Sequence, residues 1–139
     1  MSILAVEHLT KFFDHRQVLS DVSFQINEGE YIVILGPSGC GKTTILKIIA
    51  GLYQPDEGQV IVNGQNVTEL APEYRNIGYF PQQYALFPHL TVAQNVGYGP
   101  FVQGKNKSEI QKIVAQYLEM VGLEKWGNHL PKNISGGMQ

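Results

Sequence analysis

The sequence predicts an α/β fold in which a buried strand leads through a glycine-rich loop into a helix. The run Tyr31–Leu35 is apolar throughout, which is typical of a strand covered on both faces, as in a parallel sheet. Residues 36–44, GPSGCGKTT, come next, with three glycines and one lysine. Thr43–Ala50 then carries isoleucine and leucine at helical spacing, and Gly51 stands where a left-handed stop is needed.

Other short segments predict strands on either side of this unit. Residues 3–8 and 22–26 are rich in β-branched and aromatic side chains, which favours a small sheet at the N-terminus. A strand is expected at 59–62, before the hairpin dipeptide Asn63-Gly64, and another at 76–80.

The last third of the chain predicts helices. Residues 84–104 contain two prolines and three glycines and should form a loop, with one short helix that begins near Thr91. The clearest helix is 108–121, where Ser108 and Gln111 form a predicted capping box and Gly122 ends the periodic pattern.

Composition narrows the class of protein. The 139 residues suit a single domain, and a net charge of −2 with only two arginines among ten basic residues argues against a nucleic-acid partner. One cysteine cannot form an internal disulfide, and the N-terminus lacks the pattern of a secretory signal, so we expect a cytosolic protein. No run reaches the roughly 18 apolar residues that a membrane-spanning helix needs.

The glycine-rich loop predicts a phosphate-binding site. Gly36, Gly41, Lys42 and Thr43 fit the pattern G-x-x-x-x-G-K-[ST], with a predicted strand before it and a helix after it. Curled backbone N–H groups, the helix N-terminus and the lysine ammonium can bind a polyphosphate, while the Thr43 hydroxyl can bind Mg²⁺. The rest of the predicted nucleotide-binding loop comprises Pro37, Ser38, Gly39, Cys40 and Thr44, with Cys40 as a small filler residue.

The loop alone leaves several classes of nucleotide-binding protein open. A guanine-specific site would use N-K-x-D, but Asn106–Glu109 ends in glutamate, and no D-x-x-G follows the loop. A small-molecule kinase closes arginines over the transferred phosphate, and only Arg75 follows the loop. Both interpretations are therefore weak.

Three stretches resemble the ATP-binding subunits of ABC transporters. They are GPSGCGKTTILKIIAGL, FPQQYALFPHLTVAQNV and NISGGMQ, which are similar to the Walker A region, the Q-loop and the signature sequence of that family. The similarity runs from about Leu4 to Gln139. The sequence of Tyr84–His89 resembles the corresponding stretch of importer subunits that serve sugars, polyamines, iron, sulfate or molybdate.

The resemblance implies a P-loop NTPase of the ABC type, with a parallel core sheet. It implies an antiparallel β subdomain at about 1–30, a nucleotide-binding core at 31–83 and a helical subdomain at 84–139 that ends at the signature. ATP and Mg²⁺ would be the cofactors.

The resemblance also implies roles for single residues. Phe13 matches the aromatic residue that stacks on adenine, with Phe12 as a neighbouring candidate, and Val18 would pack near the sugar or base. Gln82 matches the Q-loop glutamine that can touch Mg²⁺ or the attacking water. Gln83, one position later, is the alternative match. Each of these residues also has a plain structural interpretation, as core or as polar loop.

The signature core implies a dimer. Ser135, Gly136 and Gly137 would contact the γ-phosphate of ATP bound to a second, head-to-tail subunit. Ile134 stands where leucine is usual in the family, and Met138 where glutamine is usual.

The stretch Tyr84–His89 implies a membrane partner. Exposed aromatic residues there would dock a transmembrane permease subunit, and through it a substrate-binding protein. The alternative is a loop folded onto its own domain, and we interpret His89 as a surface histidine. A docked subunit would lie peripherally on the cytoplasmic side of the membrane.

The sequence lacks the acidic residues that ATP hydrolysis in this family requires, an aspartate and a glutamate after an apolar strand. No aspartate follows Asp56, and the later glutamates do not follow an apolar strand. We therefore expect the front part of an ABC ATPase, cut at the signature, with exposed apolar faces and poor solubility. Such a chain should bind ATP weakly and should not hydrolyse it alone. A soluble ABC-family ATPase without a membrane partner remains the alternative, followed by another P-loop NTPase or kinase.

Overall fold

A computed structural model describes residues 2–82 and 85–138. The chain divides into two compact units, Met1–Tyr79 and Phe80–Gln139. Gln83 and Tyr84, for which the sequence predicts roles, lie outside the described residues. Each unit has its own hydrophobic core, so each is considered separately.

The first unit is built on a four-stranded antiparallel sheet. Strands β1 (Ser2–Phe13), β2 (Arg16–Asn27), β3 (Glu57–Val62) and β4 (Gln65–Asn66) lie in the order β2-β1-β3-β4. The strands predicted at 3–8, 22–26 and 59–62 are confirmed, and each is longer than predicted. The antiparallel sheet therefore includes strands well beyond residue 30.

Two tight turns set the register of this sheet. Asp14 and His15 link β1 to β2 with φ of 46° and 67°, and Phe13 pairs with Arg16 across them. The predicted Asn63-Gly64 turn joins β3 to β4 with φ of 50° and 78°. Two successive positive φ values are typical of the type I′ turn, which matches the twist of antiparallel strands.

Helix α1 (Lys42–Ile49) packs on this sheet. It ends in a Schellman motif: the Leu52 N–H donates to the Lys47 carbonyl, and Gly51 has a φ of 81°, as the sequence predicts. The buried core joins the helix to three strands and the turn after β4, through Val6, Leu9, Leu19, Ile45, Ile48, Ile49, Val60 and Val67.

A buried arginine fixes the C-terminal end of α1. Arg75 is 2% exposed, and its guanidinium donates to the carbonyls of Ile48 and Ile49 at 2.8 and 3.1 Å. It also donates to the carbonyls of Thr68 and Leu70 at 2.6 and 2.8 Å. Burial lowers the pKa of this guanidinium, although the charge of nearby Glu69 acts in the opposite direction. The cation thus complements the negative end of the helix dipole and links α1 to the turn after β4.

Two predicted strands are wrong. Residues 31–35 and 76–80 have no regular secondary structure, and all strand pairs among residues 2–82 and 85–138 are antiparallel. Tyr31 and Leu35 are 87% and 85% exposed, so this apolar run is not covered on both faces. A strand needs a hydrogen-bonding neighbour, and no described segment pairs with either run.

The second unit contains helices α2 (Val92–Val102) and α3 (Lys107–Met120). Thr91 caps α2 and forms a capping box with Gln94, which confirms the predicted start. The capping box predicted for Ser108 and Gln111 is wrong, since Asn106 and Glu109 form it two residues earlier. Asparagine is at least as good an N-cap as serine, and its capping box places the helix start at Lys107.

A small core holds the second unit together. Val92, Leu118 and Ile134 are buried, and Trp126 packs against them. Short 3₁₀ turns at Glu124–Trp126, Pro131–Asn133 and Gly136–Met138 follow α3. No helix among the described residues of either unit is both long and apolar enough to cross a membrane.

We predict that Arg75→Met destabilises the first unit by about 2 to 4 kcal/mol, because four carbonyls lose a charged donor and three of these hydrogen bonds are buried. Urea unfolding measures this loss. Arg16→Met is the matched control, since Arg16 is exposed at the start of β2, and it should change the stability by less than about 0.5 kcal/mol. Equal effects of the two substitutions would contradict the assigned role of Arg75.

Candidate phosphate-binding site

The glycine-rich loop leads directly into the N-terminus of α1. Gly41 is the N-cap residue, with a φ of 96°, and no side chain caps the first turn of the helix. The first N–H groups of an α-helix have no partner inside the helix, and they carry the positive end of its dipole. This end of α1 therefore offers hydrogen-bond donors to an anion.

The Lys42 side chain folds back over the loop. Its ammonium donates to the carbonyls of Gly36 and Pro37 at 2.8 and 2.7 Å, and it lies 3.6 Å from the Cys40 sulfur. These contacts hold a positive charge beside the helix N-terminus, so the loop combines that charge with main-chain donors.

Close packing under the loop explains why glycine occupies position 41. A Cβ atom at Gly41 would lie 2.9 Å from the Val18 carbonyl oxygen and 2.7 Å from a Leu19 methyl group. Val18, which the family resemblance places near the nucleotide, is half-buried in β2 directly beneath Gly41. By contrast, a Cβ at Gly39 would meet no atom within 4 Å.

The Thr43 side chain is exposed in the first turn of α1. Mg²⁺ prefers hard oxygen ligands and usually keeps several waters, so one hydroxyl beside a bound phosphate fits a magnesium ion. Within residues 2–82 and 85–138, no three His, Cys, Asp or Glu side chains cluster closely enough to hold a metal by themselves. The residues present thus suit a metal that arrives with a phosphate ligand.

Phe13 lies at the end of β1 and contacts other aromatic and charged side chains. Phe12 and Phe13 are 43% and 39% exposed, so neither is a core residue. The Phe13 and Tyr53 rings meet at 68° with centroids 5.5 Å apart. Tyr53 accepts a hydrogen bond from Lys47 of α1 at 3.2 Å.

Asp56 organises the end of β1. Its carboxylate accepts the Phe12 N–H at 2.6 Å and binds the Lys11 ammonium at 3.2 Å. The hydrogen bond from Phe12 and the contact with Lys11 together hold the pKa of Asp56 below its ordinary value. The Lys11 ammonium lies 5.4 Å from the centroid of the Phe13 ring.

The remaining predicted site residues belong to the second unit. Gln82 is exposed near its start, and Ser135, Gly136 and Gly137 are exposed near its end. Ile134, the residue that departs from the leucine usual in the family, is buried in the core of this unit, so the substitution keeps an apolar anchor before Ser135.

Asn95 fixes the loop before α2. Its side-chain oxygen accepts the Phe87 N–H at 2.8 Å, and its amide nitrogen donates to the carbonyls of Phe87, Leu90 and Thr91 at 3.0 to 3.1 Å. The Phe87 ring packs on Tyr98 of α2 with centroids 4.5 Å apart. These contacts tie the loop to α2, and Phe87 is still 37% exposed.

An apolar groove adjoins this loop. It has a volume of about 980 Å³ and lies between α2 and α3, with Tyr98, Phe101, Ile110 and Val114 in its walls. Gly97 allows the two helices to come close, because a Cβ there would lie 3.1 Å from Ile110 and 3.2 Å from Val114.

Sequence reasoning missed Tyr53, Asn95 and the structural role of Arg75. Each acts through contacts with residues that no short pattern links to it. The one available signal was the presence of a single arginine after the loop, which identified Arg75 without indicating its burial.

A family model described as ABC transporter matches residues 19–139. The chain belongs to the ABC transporter family. The match includes the glycine-rich loop, the Gln82 region and the residues around Ser135, which agrees with the resemblance seen in the sequence.

Several ABC transporter proteins of known name are similar over nearly the whole chain. The spermidine/putrescine import ATP-binding protein PotA of Oleidesulfovibrio alaskensis is 44% identical over 99% of this chain and 37% of its own length. The Fe(3+) ions import ATP-binding protein FbpC 1 of Pectobacterium atrosepticum is 42% identical over 99% of this chain and 39% of its own. The molybdate/tungstate import ATP-binding protein WtpC of Pyrococcus abyssi is 43% identical over 97% and 39%. The chain thus spans less than half of these relatives.

A solved structure confirms the predicted ABC-type ATPase fold. The ATP-binding cassette MJ0796, in a dimeric post-hydrolysis state bound to ADP and Pi, matches with a TM-score of 0.86 and 32% identity. The match covers 97% of this chain and 64% of that protein.

We predict that Asp56→Asn lowers the stability of this ABC domain at pH 7. The pKa of Asp56 is lower in the folded state, so its carboxylate stabilises the fold above its ordinary pKa of 3.8, and the contribution is lost as the pH falls through the folded-state pKa. The difference from the unsubstituted chain should therefore narrow below about pH 4. Urea unfolding at several pH values measures it.

Asp14→Asn is the control, because Asp14 is exposed in a turn where asparagine fits equally well. A loss for Asp56→Asn that is independent of pH would contradict the proposed contacts.

Proposed function

We propose that this chain is the ATP-binding part of a subunit that hydrolyses ATP to drive an ABC importer. The observation that carries the proposal is the Lys42 ammonium, held at 2.7 to 2.8 Å by the carbonyls of Gly36 and Pro37 beside the uncapped N-terminus of α1. The names of the relatives, which are import ATP-binding proteins, support transport.

The loop would bind the phosphate tail of ATP through three kinds of group. Main-chain N–H groups of Gly39 to Thr44 donate to phosphate oxygens, the α1 dipole favours their charge, and Lys42 supplies a point charge. Mg²⁺ would neutralise phosphate charge, with the Thr43 hydroxyl as one ligand. Gln82, in the second unit, is the proposed Q-loop glutamine. Phe13 would stack on the base, with Val18 beside it.

The proposed active form is a dimer. In it, Ser135, Gly136 and Gly137 of one subunit contact the phosphates bound by the other. This role is supported by the Ser135 hydroxyl and by two exposed glycines, which follow the buried residue Ile134. ATP binding would close this dimer, and hydrolysis in the intact protein would reopen it.

The surface around Phe87 is the proposed docking site for a helix of a transmembrane permease subunit. Asn95 holds this loop in place, and Tyr98, on which Phe87 packs, lines the apolar groove between α2 and α3. Rigid aromatic residues beside an apolar groove are good anchors for a helix. A subunit docked in this way would lie on the cytoplasmic side of the membrane, and a substrate-binding protein would act through the permease.

We predict that Lys42→Ala weakens binding of Mg·ATP by at least tenfold, because the loop loses its only lysine charge. Isothermal titration calorimetry on the intact protein measures the Kd, and thermal melting checks that the fold is kept. Lys112→Ala removes an exposed lysine from α3 and should leave the Kd unchanged. An unchanged Kd for Lys42→Ala would overturn the proposed site.

Docking is tested by placing a charge on the proposed surface. Leu86→Asp and Phe87→Asp should each abolish co-purification with a transmembrane permease subunit, because a carboxylate would be desolvated in an apolar interface. Mg·ATP affinity should stay within twofold.

Tyr117→Asp is the control for docking, since Tyr117 is 52% exposed on α3 and does not line the groove. If the Leu86 and Phe87 variants still bind the permease, the docking site is wrong. If no permease co-purifies with the unsubstituted protein, a soluble ABC-family ATPase becomes the better interpretation.

A further inference from the structure

The Phe13 ring is held by a connected set of side chains. Tyr53 meets the ring at 68°, so the two rings are not stacked in parallel. Lys47 of α1 donates to the Tyr53 hydroxyl at 3.2 Å, and its ammonium lies 4.8 Å from the Tyr53 ring centroid. Phe13 is thereby linked to the helix whose N-terminus forms the phosphate site.

Lys11 covers one face of the same ring. Its ammonium lies 5.4 Å from the Phe13 centroid, and its side chain is only 15% exposed. Asp56 binds this ammonium at 3.2 Å and also accepts the Phe12 N–H, so both the lysine and the adjacent backbone are fixed. A flat ligand can therefore stack on Phe13 only from the side away from Lys11.

We infer that Tyr53 and Lys11 are positioning residues of the base subsite. Tyr53, tied to α1 through Lys47, fixes the rotation of the Phe13 ring, and Lys11 blocks one of its faces. A purine base is then accepted on a single face, at a set distance from the phosphate loop. This inference rests on the proposed function, since it takes Phe13 as the stacking residue.

Comparing two ligands distinguishes an effect on the base subsite from an effect on the phosphate subsite. Mg·ATP uses both, whereas Mg·tripolyphosphate carries the phosphate chain without a base. In the intact protein, Tyr53→Leu and Lys11→Met should each weaken Mg·ATP about 3- to 10-fold, because the Phe13 ring loses its contact with the Tyr53 ring or with the Lys11 ammonium, and a mobile ring stacks less well. Both should leave the Kd for Mg·tripolyphosphate within twofold, as measured by calorimetry.

A double-mutant cycle tests whether these residues act through Phe13. In a Phe13→Leu background, Tyr53→Leu should add less than a twofold loss of ATP affinity. Tyr53→Phe keeps the ring and its contact with the Lys47 ammonium but loses the hydroxyl hydrogen bond, so its ATP affinity should lie between those of Tyr53→Leu and the unsubstituted protein. Thermal melting of every variant excludes unfolding as the cause, and Lys11→Met provides an independent test if Tyr53→Leu does not fold.

Three results would overturn the inference. They are equal weakening of both ligands, the same loss from Tyr53→Leu with and without Phe13, and unchanged ATP affinity in Phe13→Leu. None of these results affects the proposed function as long as Lys42→Ala still weakens the binding of both ligands. An effect of Phe13→Leu without any effect of Lys42→Ala would instead overturn the phosphate site.

Discussion

The contact of Lys42 with the carbonyls of Gly36 and Pro37 is the interaction on which the site depends. It places a cation at the N-terminus of α1, where helix N–H groups are already unpaired. The loop can keep this shape only if α1 is fixed beneath it. Core packing of Ile45, Ile48 and Ile49 fixes its side, and the Arg75 guanidinium fixes its C-terminal end. Both ends of the helix thus support the proposed phosphate site.

Local patterns predicted the elements closest to this site. The loop, the start of α1 and the stop at Gly51 follow from spacing and from the conformations that glycine allows, so sequence alone suffices for them. The apolar run 31–35 shows where such reasoning fails. Periodicity identifies side chains that favour burial, but a strand also needs a neighbour for its hydrogen bonds, and the described residues provide none.

Long-range side-chain contacts were beyond prediction. Arg75 binds carbonyls 26 and 27 residues away, and Tyr53 packs on Phe13 across the hairpin and the helix between them. The Asn95 side chain binds backbone groups four to eight residues away, but its amide group could serve many other roles. The capping error in α3 has a local cause: two overlapping boxes were possible, and Asn106 competes with Ser108 for the helix start.

Amide chemical shifts give the most direct test of the central claim that the main chain of this loop binds phosphate. In a ¹⁵N-labelled sample titrated with Mg·ATP, the largest shifts should fall on residues 36–44, and Mg·tripolyphosphate should reproduce them. Residues of β4, on the far edge of the sheet, should not move. Shifts spread evenly over the chain, or confined to residues outside the loop, would contradict this account.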